Sequence, residues 1–97
     1  MSVNYQKKKS EAFLVQEIYA AYREFRNSEG IKLAELFVEK NKTNQVVWKI
    51  LGELYKRAND IPRAILAYRR AIYLIPGDAS AHINLGLLLK SNNQKID

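Results

Sequence analysis

The stretch from Trp48 to Pro76, WKILGELYKRANDIPRAILAYRRAIYLIP, decides the fold of this chain. Apolar residues recur in and beside it at steps of three and four, which is the spacing of one face of an α-helix. The first run is Val47, Leu51, Leu54, Tyr55 and Ala58, and the second is Ala64, Ile65, Tyr68, Ala71, Ile72 and Ile75. The stretch therefore predicts two successive amphipathic helices.

The residues between and after the two runs predict where each helix begins and ends. Asn59 interrupts the first run, and Asp60 is a good N-cap for the second. Pro62 falls in the first turn of that helix, where its missing N–H costs little. Pro76 and Gly77 then end the second helix. The product is a helical hairpin.

Small and large residues alternate within the hairpin. Gly52 and Ala64 have almost no side chain, so we expect Ala64 to face Gly52 closely where the two helices meet. Trp48 and Tyr55 are large enough to fill the space beside this contact. A generic amphipathic hairpin does not need this alternation, which favours a repeat unit.

In this order the residues resemble the tetratricopeptide repeat (TPR), whose pattern is Trp-x2-Leu-Gly-x2-Tyr, Ala-x3-Phe and Pro. Tyr68 stands where the pattern has phenylalanine. The matching residues are Trp48, Leu51, Gly52, Tyr55, Ala64, Tyr68 and Pro76. The resemblance covers one complete repeat, about residues 45–78. It implies an all-α fold in which about five antiparallel helices form a right-handed superhelical array, and it implies a protein-binding scaffold.

Part of the pattern recurs further along the chain. Leu85 and Gly86 stand 34 positions after Leu51 and Gly52, and 34 residues is the length of this repeat. Residues 79–97 therefore resemble a half repeat, with the first helix and not the second.

A further helical hairpin is predicted before the complete repeat. Apolar residues at helical spacing occupy residues 11–26 and 31–40, and a polar run that ends at Gly30 separates them. We interpret this segment as a degenerate repeat or an unrelated hairpin that serves as an N-terminal cap, because one repeat cannot bury its apolar side alone. In all, we expect helices near residues 11–27, 30–41, 45–58, 61–75 and 79–92.

Composition limits the classes of function. The net charge of +6 favours acidic partners. Residues 1–10, which include three adjacent lysines, are expected to form a flexible basic tail, and residues 11–97 a TPR-like helical domain. That lysine run falls short of the usual nucleic-acid arm. No secretory leader or membrane-spanning run is apparent, which favours a soluble, cytoplasmic protein.

No pattern of catalytic, cofactor-binding or metal-binding residues stands out. The four glycines do not form a phosphate-binding or dinucleotide-binding motif. The chain has no cysteine and a single histidine, His82. His82 takes the tryptophan position of the half repeat, and we expect its ring to be partly buried there. The sequence therefore predicts neither an enzyme nor a cofactor or metal site.

The resemblance also implies a peptide groove, because members of the family hold a partner peptide along the concave surface formed by the first helices of their repeats. The positions that match this groove are Val46, Lys49, Glu53, Lys56, Ser80, Ile83, Asn84, Leu87 and Lys90. Lysines at the rim and apolar residues between them suit an acidic peptide with an apolar anchor. Lys49 and Asn84 match a clamp that one subgroup uses for the C-terminal carboxylate of a heat-shock chaperone. Glu53 stands where that clamp has asparagine, so we expect another partner.

Two alternatives to a peptide-binding adaptor follow from the residues. The last helix is apolar on nearly every side, which is typical of a helix with partners on more than one face. A second copy of the chain could cover it, with Leu85 and Leu89 as the candidate contacts. A partner protein, or the next helix of a longer repeat array, could also cover it. The third hypothesis is a binder of nucleic acid or anionic surfaces through the positive charge.

Overall fold

The computed structural model describes the backbone of residues 2–94 and the side chains of residues 11–93. Within that part the chain is all-α, with five helices and no strand, as the sequence predicted. The helices are α1 (Ser2–Arg23), α2 (Asn27–Lys40), α3 (Gln45–Arg57), α4 (Ile61–Leu74) and α5 (Ala79–Gln94). In the same part, no helix is long and apolar enough to cross a membrane.

The first helix is longer than expected. α1 begins at Ser2, so it includes nearly all of residues 1–10, which we expected to form a flexible tail. That expectation concerns mobility and stays a prediction. Met1, the first residue of the predicted tail, and residues 95–97, the last of the predicted half repeat, lie outside the described residues.

Each helix packs against the next one along the chain, and α1 also contacts α3. One apolar core runs through these contacts from Ile18 on α1 to Leu88 on α5. The largest fully buried side chains are Ile18, Val47, Leu51 and Leu54. Successive packing of neighbouring helices agrees with the predicted fold class, and the right-handed sense of the array stays a prediction.

Local signals explain where the central helices begin. The side chain of Asn44 accepts a hydrogen bond from the Val47 N–H at 3.1 Å and caps α3. The Asp60 carboxylate accepts one from the Arg63 N–H at 3.2 Å and caps α4, as the sequence predicted. Asn59, between them, has a positive φ of 63°, a conformation that asparagine tolerates better than most residues.

Gly52 on α3 lies against the ring of Tyr68 on α4. A Cβ atom added at Gly52 would lie 2.5 Å from Cε2 of Tyr68, and its three nearest neighbours all belong to that ring. The nearest neighbour of Gly52 is thus the Tyr68 ring, which the sequence did not indicate. Ala64 is fully buried, and its close approach to Gly52 stays a prediction.

The prediction for His82 is also wrong. Its ring is exposed, and Nε2 lies 2.8 Å from the backbone oxygen of Pro76. Gly86, one helical turn further along α5, has nothing within 4 Å of the place where a Cβ would stand. Within the described chain, no helix packs on this side of α5, so the histidine remains in solvent.

Candidate functional site

A cleft of about 200 Å³ opens between α1, α3, α4 and α5. We call it the inner cleft; it is lined by Tyr22, Val46, Lys49, Ile50, Glu53, Tyr68 and Asn84. The α3 residues among them are spaced three or four apart, so the helical period brings them to one face. The cleft thus joins residues from helices that are far apart in the sequence.

Four of the nine predicted groove residues line the inner cleft, namely Val46, Lys49, Glu53 and Asn84. The other five do not line it: Lys56, Ser80, Ile83, Leu87 and Lys90. Ile83 and Leu87 are nevertheless 63% and 62% exposed on α5. They extend an apolar surface away from the cleft along that helix.

Three lining residues were missed as site residues. Ile50 and Tyr68 belong to the buried core. Helical spacing indicated a core position for Tyr68, and Ile50 lay outside the predicted apolar run. Tyr22 is half-buried on α1. The spacing of α1 predicted an apolar face, but only its contact with α3 places that tyrosine at the cleft.

Lys49 is held by other side chains of the chain. Its Nζ donates to Oδ2 of Asp78 at 2.8 Å and to Oγ of Ser80 at 2.7 Å. Gln45 Nε2 donates to the same Asp78 oxygen at 2.7 Å. The other Asp78 oxygen accepts from the Ala81 N–H at 3.2 Å at the start of α5. This network ties the N-terminal half of α3 to the start of α5.

The network makes the stability of the fold sensitive to acid. The Lys49 ammonium, followed by the amide of Gln45, holds the pKa of Asp78 well below its ordinary value of 3.8. A carboxyl group with a lowered pKa in the folded state binds fewer protons there than in the unfolded chain. Its contribution is therefore complete above the ordinary pKa and is lost as the pH falls below it.

We expect the melting temperature to fall as the pH is lowered from about 5 through the ordinary pKa of aspartate. Asp78→Asn cannot ionise, so this variant should melt lower near neutral pH and depend less on pH in the acid range. Glu39→Gln removes an exposed carboxylate that forms no ion pair among the described residues. The melting temperature of this variant should depend on pH as that of the parent does. Thermal melts by circular dichroism across this range test the assignment. If the melting temperatures of the parent and Asp78→Asn changed equally with pH, the role assigned to Asp78 would be contradicted.

Glu53 is held at the other end of the inner cleft. Its carboxylate lies 3.4 Å from Nζ of Lys56 and 3.6 Å from Nε of Arg57. The Tyr68 hydroxyl donates to the same carboxylate at 3.5 Å. Burial, and then the charge of Glu53, raise the pKa of Tyr68, so its hydroxyl stays a neutral donor.

Two of the three lysines of the predicted rim form ion pairs within the chain. Lys49 and Lys56 form ion pairs, whereas Lys90 forms none with the residues that the structure describes. The ammonium groups of Lys49 and Lys56 are therefore less available to an acidic ligand than the sequence suggested.

The side-chain amide of Asn84 is a polar group of the inner cleft that is open to a ligand, as is the Tyr22 hydroxyl. The amide is half-buried, and no described residue forms a hydrogen bond with it. An amide can donate and accept at once, so it can pair with both polar groups of a peptide backbone. Val46, 46% exposed, offers an apolar surface in the same cleft.

The predicted self-association residues are less exposed than their neighbours on α5. Leu85 and Leu89 are half-buried, and Leu85 packs against the core. The open apolar residues of this helix are Ile83 and Leu87. Any copy of the chain that docks on α5 would meet these two residues first.

Among the described residues, no group of three His, Asp or Glu side chains is placed to hold a metal ion. No protein-family model and no curated protein matches this chain. The fold and the inner cleft define an all-α protein of successively packed helices with an open cleft on one side.

Proposed function

We propose that this chain is a TPR-like binding module that holds an extended segment of a partner protein in the inner cleft. The observation that carries the proposal is the Asn84 amide, which has no partner among the described residues and lines the cleft with Val46 and Ile50. Such an amide pairs with a peptide backbone, and the apolar residues accept a side chain. The repeat pattern around Trp48 and the successive packing of the helices support the proposal that the chain is TPR-like.

The size of the inner cleft favours a peptide over a small molecule. Its volume is about 200 Å³, whereas pockets for small ligands enclose roughly 300–1,000 Å³. A volume of this size accommodates one apolar side chain, with the rest of the ligand outside. An extended segment crossing the cleft meets that condition.

The exposed residues of α5 suggest the chemistry of the segment. Ile83 and Leu87 continue the apolar surface beyond Asn84, and Lys90 adds a charge that no described carboxylate neutralises. We propose a segment with an apolar anchor in the cleft and an acidic residue near Lys90. The acidic preference has less support than the apolar anchor, because Lys49 and Lys56 already form ion pairs.

Selection of displayed peptides on the full chain, followed by affinity measurements on the selected peptides, tests this function. Asn84→Ala removes the hydrogen bonds to the backbone and should weaken binding about fivefold to tenfold, since one such bond contributes roughly 1 kcal/mol. Asn93→Ala, at an exposed asparagine of the same helix, is the matched control and should bind as the parent does. Peptides that bind both variants equally well would show that the inner cleft is not their site.

Self-association through α5 is a second candidate function. Ile83 and Leu87 are mostly exposed, and the α5 surface at Gly86 has no neighbour within 4 Å. Two copies that pair these surfaces would remove the apolar side chains from water. This arrangement competes with the peptide for α5 and does not require Asn84.

We expect Leu87→Glu to abolish any dimer of this kind, because it places a charge in the apolar contact. Ser91→Glu adds the same charge at an exposed polar position of α5. Its apparent mass in solution should match that of the parent at each concentration. Sedimentation equilibrium over a range of concentrations distinguishes the two variants. A parent chain that stays monomeric throughout would eliminate this candidate.

A further inference from the structure

A second cleft lies between α3 and α4, on the side of α3 that faces away from the inner cleft. It has a volume of about 370 Å³ and is lined by Trp48, Tyr55, Arg63, Leu66, Ala67 and Arg70. We call it the outer cleft. Its two α3 residues are seven positions apart and share one side of that helix. The α3 residues of the inner cleft fall nearly opposite, because a helix turns about 100° per residue.

The walls of the outer cleft are apolar and held in position. The indole N–H of Trp48 donates to the Lys42 backbone oxygen at 2.9 Å, and the Tyr55 hydroxyl donates to the Glu35 carboxylate. Leu66 is 66% exposed above the nearly buried Ala67. A single exposed leucine is ordinary, but here it borders a concave surface beside an indole ring whose orientation is restrained.

The two ends of the outer cleft differ in charge, because Arg63 is under the influence of two carboxylates, those of Asp60 and Glu35. Arg63 pairs with Asp60 at 2.9 Å. The Arg70 guanidinium lies 5.9 Å from the ring centre of Trp48 and 5.6 Å from that of Tyr73. It forms no ion pair with a described carboxylate. A guanidinium placed over aromatic rings keeps its N–H edge available for a carboxylate, which it can bind through two parallel hydrogen bonds.

We propose that the outer cleft docks an acidic peptide segment of a partner protein. An apolar side chain of that segment lies on Trp48 and Leu66, and a carboxylate pairs with Arg70. Charge complementarity supports this occupant, because the cleft offers one uncompensated guanidinium beside an apolar surface and the whole chain carries a net charge of +6. Nucleic acid fits less well, since its binding depends on several phosphate contacts at once. The site is separate from the inner cleft and does not depend on the function proposed there.

Trp48 is the only tryptophan of the chain, so its fluorescence reports directly on the outer cleft. The probe is a panel of short acetylated peptides without aromatic residues, each with a central Leu, Ile, Val or Met flanked by glutamates. We expect at least one to change the emission in a saturable titration. Arg70→Gln should weaken that binding roughly tenfold or more, since hydrogen bonds to charged groups are stronger than neutral ones.

Arg69→Gln is the matched control, because it removes the same charge from an exposed neighbouring residue that does not line the cleft. It should have little effect, as should Asn84→Ala in the inner cleft. Leu66→Ser should weaken binding without unfolding the chain, because Leu66 is mostly exposed.

Several results would overturn the proposal. One is an equal loss of affinity for Arg70→Gln and Arg69→Gln, which would indicate diffuse attraction between charges. Another is an emission that changes with the concentration of the protein alone, which would show that a second copy covers the cleft. A third is an oligouridine that binds more tightly than every peptide and depends on Arg70, which would assign the surface to nucleic acid. No response to any peptide of the panel would also reject it.

Discussion

Replacing Leu54 with alanine should lower the free energy of unfolding by about 2–5 kcal/mol. Leu54 is fully buried on α3, and its Cδ1 lies 3.0 Å from the place where a Cβ of Gly30 on α2 would stand. The substitution therefore leaves a cavity between two helices as well as removing apolar contacts. A domain of this size is stabilised by roughly 5–15 kcal/mol in total, so one side chain accounts for a large share.

Leu66→Ala makes the same chemical change at a residue that is 66% exposed. It should shift the stability by less than about 0.5 kcal/mol. Urea unfolding followed by circular dichroism measures the stability of both variants. An unchanged slope of the unfolding free energy against urea concentration would confirm that each substitution acts on stability. Similar midpoints for the two variants would contradict the position of α3 between α2 and α4.

The second large effect concerns two glycines that stand 34 positions apart in the chain. Gly52→Ala should lower the stability by up to about 2 kcal/mol, because the new methyl group overlaps the Tyr68 ring at a cost of about 1–3 kcal/mol. This cost opposes the gain of about 1 kcal/mol that alanine brings to the interior of a helix. The ring is 2% exposed and cannot move aside without disturbing the core.

Gly86→Ala is the matched control in α5. A methyl group there meets nothing within 4 Å, so only the better helix propensity remains and the stability should rise by up to about 1 kcal/mol. Thermal melts at low protein concentration, where any pairing of α5 is weakest, compare the two variants. If the melting temperatures of both variants shifted in the same direction, the helix packing around Tyr68 would be described wrongly.

The local part of the fold could be predicted from the sequence. The expected starts of the last three helices, at residues 45, 61 and 79, agree with the structure, as does the Asp60 cap of α4. These features depend on residues within a few positions of one another, through helical periodicity, capping side chains and proline. The start of α1 was not predicted, because no such local signal marks Ser2.

The candidate site could be predicted only in part. The resemblance placed Val46, Lys49 and Glu53 in one groove, and all three line the inner cleft. The sequence could not indicate that Lys49 is neutralised by Asp78, a residue 29 positions away. Nor could it show that Arg57 lies over the rings of Tyr22 and Phe25. Contacts of this kind depend on the relative placement of whole helices.

By itself, the sequence determined that this protein is all-α, where its central helices begin, and which side of the α3–α4 hairpin is apolar, because those properties follow from local backbone and side-chain chemistry. The tertiary structure alone decided which charges remain free, that Tyr68 fills the space beside Gly52, and that two clefts open on different sides of α3. The physical reason is distance. An ion pair, a ring contact or a cleft exists only once helices that are remote in the chain have packed at a particular angle and separation.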